Sequence, residues 1–186
     1  MKSIPDFTDN HLLPPSKGDE KNMDFISPYK CTTLEVCERF ATSEIRIEIL
    51  KGLLAFRKRI NEEKITFGFQ WLYGSFTERI EIREGRPPRD LDVTTFFQGI
   101  SNEQKEGFKE TFPEFVNFKK SKNRFYVDHT AFDISISADH TFNIVGSLMQ
   151  LFSHTREWEW KGILRIELNT PEIDEQALEY LNNLKL

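Results

Sequence analysis

Two aspartates two residues apart, Asp90 and Asp92, lie in the run RDLDVTTFF. Leu91, Val93 and Thr95 alternate with them, the pattern of a strand with one face in a core. A period of two sets both carboxylates on one face, about 6–7 Å apart. Two ionised acids at that distance repel unless something positive lies between them. Magnesium favours oxygen ligands and phosphate-bearing substrates, and Mn2+ can take the same donors. Paired divalent ions stabilise the attacking and leaving oxygens of a phosphoryl or nucleotidyl transfer. Such a site needs a third carboxylate. Asp133 in AFDISISAD is favoured, because Phe132, Ile134 and Ile136 alternate with Asp133, Ser135 and Ser137. Asp128 is the rival, set before an expected turn at Asp128-His129-Thr130, where Asp is common for its local hydrogen bonds. A plainer reading of Asp90 and Asp92, the polar outer face of an edge strand, competes with the metal reading.

Upstream, Gly74-Ser75 ends the aromatic run GFQWLY. A glycine turn that opens a helix offers free backbone N–H groups to a phosphate, and the Ser75 hydroxyl adds a donor. If residues 76–84 are helical, Arg79, Arg83 and Arg86 share a face, aimed at a triphosphate or solvated beside Glu78 and Glu81. Later in the chain His154, Arg156, Lys161 and Arg165 cluster, either as phosphate contacts or as cations closing a helix. His129 and His140 flank Asp133 and read as turn residues rather than supports for the site. Trp158 and Trp160 read as a packing hairpin before a base-stacking platform.

These groups need a scaffold. Residues 1–30, rich in Pro, Asp, Asn and Lys, read as an extended arm docked through Leu12, Leu13, Phe25 and Ile26. Residues 31–186 read as a single domain. Thr32 with Glu35 fits a capping box, and Ser43 opens an amphipathic helix ending near Lys64. Strands are expected at 65–73, 90–97, 123–128, 131–138 and 162–168. Helices are expected at 76–84, where Gly85 and two prolines supply the stop, and at 101–111, 142–155 and 172–184. That order predicts an α+β fold with a mixed sheet of about five strands flanked by helices.

Composition narrows the function. A net charge of −5 argues against a protein whose main task is gripping duplex DNA by its phosphates. The two cysteines, Cys31 and Cys37, have no zinc spacing and read as buried free thiols, with no disulfide framework. No basic-then-apolar start and no apolar run near the ~18 residues of a membrane span is present, so the expectation is a cytoplasmic protein with no membrane contact.

Together, an apolar strand, Gly-Ser, Asp-x-Asp on the next strand and a lone later Asp resemble the nucleotidyltransferase fold of the DNA polymerase β superfamily. The matching residues are Gly74, Ser75, Asp90, Asp92 and Asp133. Small bacterial nucleotidyltransferase-like proteins look similar over residues 12–168. They share LPP near the start, an Arg–Leu helix pattern matching Arg46 and Leu50, W-L-x-G-S-F, D-x-D and a late segment matching HTREWEWKGILRIEL. The resemblance implies that Gly74 and Ser75 hold nucleotide phosphates, helped by Arg79, Arg156 and Lys161. It implies Mg2+ or Mn2+ on the catalytic acids Asp90, Asp92 and Asp133, with Asp133 as general base. The implied activity moves an NMP from an NTP to a protein hydroxyl or an RNA end, in a toxin–antitoxin or phage-defence system with a cognate partner protein. The alternative is a non-catalytic, antitoxin-like protein that keeps the fold. This chain departs from the pattern in the long insert between Ser75 and Asp90, and in lacking an obvious extra helical domain to cradle base and acceptor.

Overall fold

The computed structural model describes residues 3–19 and 21–185. The chain runs β1 (Tyr29–Lys30), α1 (Thr33–Phe40), α2 (Glu44–Glu62), β2 (Phe67–Tyr73), α3 (Ile80–Glu84), β3 (Leu91–Gln98), α4 (Asn102–Thr111), α5 (Pro113–Val116), α6 (Phe118–Phe125), β4 (Val127–Asp133), α7 (Ala138–Phe152), β5 (Leu164–Glu167) and α8 (Pro171–Asn183). Helix starts follow side chains that satisfy the first free amides. Thr32 and Glu35 form the expected capping box before α1, Ser43 caps α2, and Ser101 with Gln104 forms a second box before α4. Gly85 closes α3 in the left-handed conformation.

The sheet order is β1-β5-β2-β3-β4, with β2 antiparallel to β3 and β5, and β3 parallel to β4. The fold is α+β, a mixed five-stranded sheet with helices on both faces. One face carries Leu72, Leu91, Val93, Val127 and Leu164 into the main core beneath α1, α2 and α8. The other carries Trp71, Tyr73 and Phe96 against α7. Many of the phenylalanines pack between α2 and α4–α6, where Phe56, Phe112, Phe115 and Phe125 meet ring to ring. Burying each contributes about 1.5–3 kcal/mol. Gly52 lets α2 touch the Phe125 carbonyl, where any Cβ would overlap, and so lets α2 and α6 pack closely.

Arg57, 1% exposed, ties α2 to the far end of the sheet. It donates to Asp174, Gln70, Thr170 and the Glu167 carbonyl. The N-terminal segment buries Ile4, Leu12 and Leu13, while Phe25 and Ile26 are half-buried, and Tyr29 and Lys30 leave the arm to join the sheet as β1. Cys31 is half-buried and Cys37 buried; both are free, and burial pushes each thiol up to about 12. No helix among the described residues is long and apolar enough to cross a membrane.

The expected hairpin of strands at 123–128 and 131–138 is not formed. Residues 118–125 are helical, because Asn117 accepts from the Lys119 and Lys120 amides and Phe118, Ser121 and Phe125 make a stripe at helical spacing. Asp128, His129 and Thr130 lie inside the single strand β4. Ser137 caps α7 and draws residue 138 into a helix. His129 is therefore no turn residue. Thr95 and the Phe115 carbonyl bond its ring, and burial holds it neutral, down to about 3.

Candidate functional site

The parallel register of β3 and β4 pairs Asp92 with Asp128. Adjacent strands lie about 4.8 Å apart, so these carboxylates are neighbours on one face. Asp90, one residue before β3, joins them. Lys122 on α6 sits 2.5 Å from Asp90 and 3.1 Å from Asp128, bridging the two. The Asp92 carboxylate has no hydrogen bond or ion pair among the described residues. Its burial, then the charges of Asp90 and Asp128, push it from an ordinary 3.8 up to about 7, despite Lys161 and Lys122 nearby.

Asp133 is not the third acid. It pairs with Phe97 at the opposite end of β4, about 16 Å along the strand from Asp128. The odd separation also turns it to the other face. There it meets Lys105 and accepts from Ser135, and although burial raises its carboxyl, these partners hold it below the usual range. Asp128 takes the place expected for Asp133. The stretch around it, Val127-Asp128-His129-Thr130, has no Gly, Pro or Asn, so the alternation of a continuous strand was readable there.

Antiparallel pairing of Tyr73 with Asp92 sets Gly74 and Ser75 directly beside the acids. Gly74 has φ 78°, and a Cβ there would overlap the Asp92 carboxylate. Two buried cations hold the turn in shape. Lys161, 4% exposed, donates to the Gly74 carbonyl at 3.1 Å and to Glu78 at 2.5 Å. Arg46, 2% exposed, donates to the Phe76 and Glu78 carbonyls and grips Glu81 with two nitrogens. The insert of residues 76–89 is thus folded back through a 3-10 turn and α3. It leaves Ser75 next to the acids because sheet pairing, not loop length, sets that distance.

These groups line one cavity of about 620 Å3. Its lining includes Gly74, Ser75, Asp90, Asp92 and Asp128, the cations Arg86, Arg89, Lys122 and Arg156, and the rings of Phe152, His154 and Trp158. Arg86 is paired with Glu84. Arg89 and Arg156 are exposed and have no hydrogen-bonded partner among the described residues. Lys161 lines the cavity but is committed to Gly74 and Glu78, so it shapes the turn. Arg79 does not line the cavity; its guanidinium lies 4.9 Å over the Phe7 ring of the arm. Arg83 is taken by Glu159 at 2.6 Å, and Arg165 lies over Phe69. The expected face of three arginines is therefore broken up, because the 76–84 segment is a 3-10 turn and a short helix rather than one helix. His140 is exposed at the start of α7, away from the cavity lining.

Asp90, Asp92 and Asp128 are carboxylates, the donor type a hard divalent cation prefers, and Asp92 has neither an ion pair nor a side-chain hydrogen bond among the described residues. Among the described residues no group of three or more His, Cys, Asp or Glu stands close enough to hold a metal ion as the side chains lie. The Lys122 ammonium instead supplies positive charge between Asp90 and Asp128.

Residues 5–167 match the family described as DUF6932, a family of unknown function. The chain belongs to this family. The DUF6932 match takes in the Gly74–Ser75 turn, Asp90, Asp92, Asp128, Lys122 and the loop carrying Arg156 and Trp158, and it ends before α8. Searches of curated proteins and of solved structures found no match.

Proposed function

We propose that this DUF6932 protein is a metal-dependent nucleotidyltransferase that moves an NMP from an NTP to a protein hydroxyl or an RNA end. One observation carries the reading: a Gly-Ser turn, three aspartates and two unpaired arginines line one cavity. Gly74 leaves room for a phosphate against the backbone, and Ser75 offers a hydroxyl. Arg89 and Arg156 are free to pair with phosphate oxygens. A divalent cation, Mg2+ or Mn2+, held by Asp90, Asp92 and Asp128 would neutralise charge on the reacting phosphoryl oxygens. The general-base role expected for Asp133 is withdrawn with its position. A cytoplasmic setting and a toxin–antitoxin or phage-defence role belong to the same proposal.

The test is label transfer from radiolabelled ATP, GTP, CTP and UTP to total RNA and protein in Mg2+. Wild type and Asp133→Asn are expected to transfer, and Asp128→Ala and the Asp90→Ala, Asp92→Ala double variant to lose transfer. Equal transfer by the double variant and wild type would sink the proposal.

A second reading, a non-catalytic member that binds a partner protein, is favoured by the Lys122 bridge. It makes the acids partly self-satisfied without a metal. It predicts no calorimetric binding of any of the four nucleotides in Mg2+.

A further inference from the structure

Trp158 is 66% exposed, yet it lines the cavity beside the acids. Its backbone is left-handed, with φ 64°, a conformation that a bulky side chain adopts only where its surroundings impose it. The surrounding loop is firmly held. Thr155 accepts at its carbonyl from the Trp158 amide and donates its own amide to the Glu159 carbonyl, and Ser153 accepts from Lys161. Glu159 is anchored by Arg83 at 2.6 Å and by Asn10 at 2.9 Å. The strain is therefore offset by contacts elsewhere, and what it achieves locally is to present an exposed indole to the cavity. His154 packs against both indoles, 5.5 Å from Trp158 and 4.2 Å from Trp160. Lys161 ends the loop and grips the Gly74 carbonyl, so the indole and the Gly-Ser turn are tied together by one side chain. The unpaired Arg156 lies between His154 and Trp158 in sequence and lines the same cavity. An exposed aromatic on a firmly held loop, lining the same cavity as the Gly-Ser turn and the aspartates, suits a planar base, whose π-face stacks without regard to base identity.

We propose that Trp158 is the nucleobase platform of this cavity, so that the ligand it takes is a purine or pyrimidine nucleoside triphosphate and not a bare polyphosphate. The assignment rests on the nucleotidyltransferase reading of the same cavity. It also supplies, from a hairpin loop, the base-holding part otherwise expected from an extra helical domain.

The experiment is calorimetric titration of the full chain with ATP, CTP and inorganic tripolyphosphate in Mg2+, for wild type, Trp158→Ala and Trp158→Phe. Trp158→Ala is expected to weaken ATP and CTP binding on the order of ten-fold or more. Tripolyphosphate binding is expected to be unchanged, and Trp158→Phe to keep most of the nucleotide affinity. Nucleotide affinities in Trp158→Ala equal to wild type would overturn the platform and leave the transferase reading standing. So would wild-type affinity for tripolyphosphate as high as for ATP. Failure of wild type to bind nucleotides or tripolyphosphate would overturn both.

Discussion

Replacing Asp92 with Asn is expected to stabilise the metal-free protein at alkaline pH and to cancel its response to Mg2+. Asp92 is half-buried beside two other carboxylates, and its pKa is raised from 3.8 to about 7. The folded protein therefore holds a proton there that the unfolded chain has already released. Stability from this group is fully present below about pH 4 and is lost as pH rises through about 7. The difference of about three units, at about 1.4 kcal/mol each, sets a ceiling of about 4 kcal/mol. Water entering the cavity and relaxation of Lys122 reduce that, so a gain of about 1–3 kcal/mol is expected above pH 7. For a chain of this size it corresponds to roughly 2–4 °C in Tm per kcal/mol. His129 gives the opposite slope: its pKa is pushed down to about 3, so stability is lost as pH falls below about 6.5. The comparison must therefore be between variant and wild type rather than along the wild-type curve alone. Thermal melts followed by circular dichroism, in EDTA, should show the two Tm curves together near pH 4 and separated above pH 7. Mg2+ at about a hundred times its dissociation constant adds about 2.7 kcal/mol to a protein that binds it; wild type should gain this at pH 8 and Asp92→Asn should not. Parallel Tm curves from pH 4 to 8.5, with an equal Mg2+ response, would refute the claim that Asp92 is the uncompensated acid of a cation site.

Two further variants probe the same cluster. Lys122→Met removes the ammonium that bridges Asp90 and Asp128, so it should lower Tm in EDTA and enlarge the Mg2+-induced rise; a Tm unchanged in both conditions would show that the bridge carries no weight. Gly74→Ala places a methyl on the Asp92 carboxylate at φ 78°, which should cost about 1–3 kcal/mol in denaturant unfolding and abolish nucleotide binding, whereas wild-type stability would contradict the tight packing of turn and acid.

Much of the frame was legible because it depends on local chemistry. Thr32, Ser43 and Ser101 announce their helices through hydrogen bonds within three residues. The strands around Trp71 and Val93 show their period, and Asp90 and Asp92 share a face for the same reason. The segment from Phe118 to Ala138 was misread because it mixes aromatics with alternating polar residues. Short-range pattern did not separate a lysine-rich helix from a strand there. That pattern predicts strands over 123–128 and 131–138, which require a turn at Asp128-His129-Thr130. The clamps formed by Arg46 and Lys161 left no local mark, since their partners lie 30 residues or more away.

By itself, then, the sequence determined which residue types were present and which faces of individual strands they occupy, since side-chain direction along a strand follows from backbone geometry alone. It determined the Gly74-Ser75 break and the Asp90–Asp92 pair. Only the tertiary structure decided which third acid stands beside them. That choice is a matter of register between β3 and β4, which depends on how both strands pack with the rest of the fold and not on β4 alone. The same pairing brought Ser75 to the acids across an insert that looked too long, because the distance between two paired strands is fixed by their hydrogen bonds however much chain loops out between them.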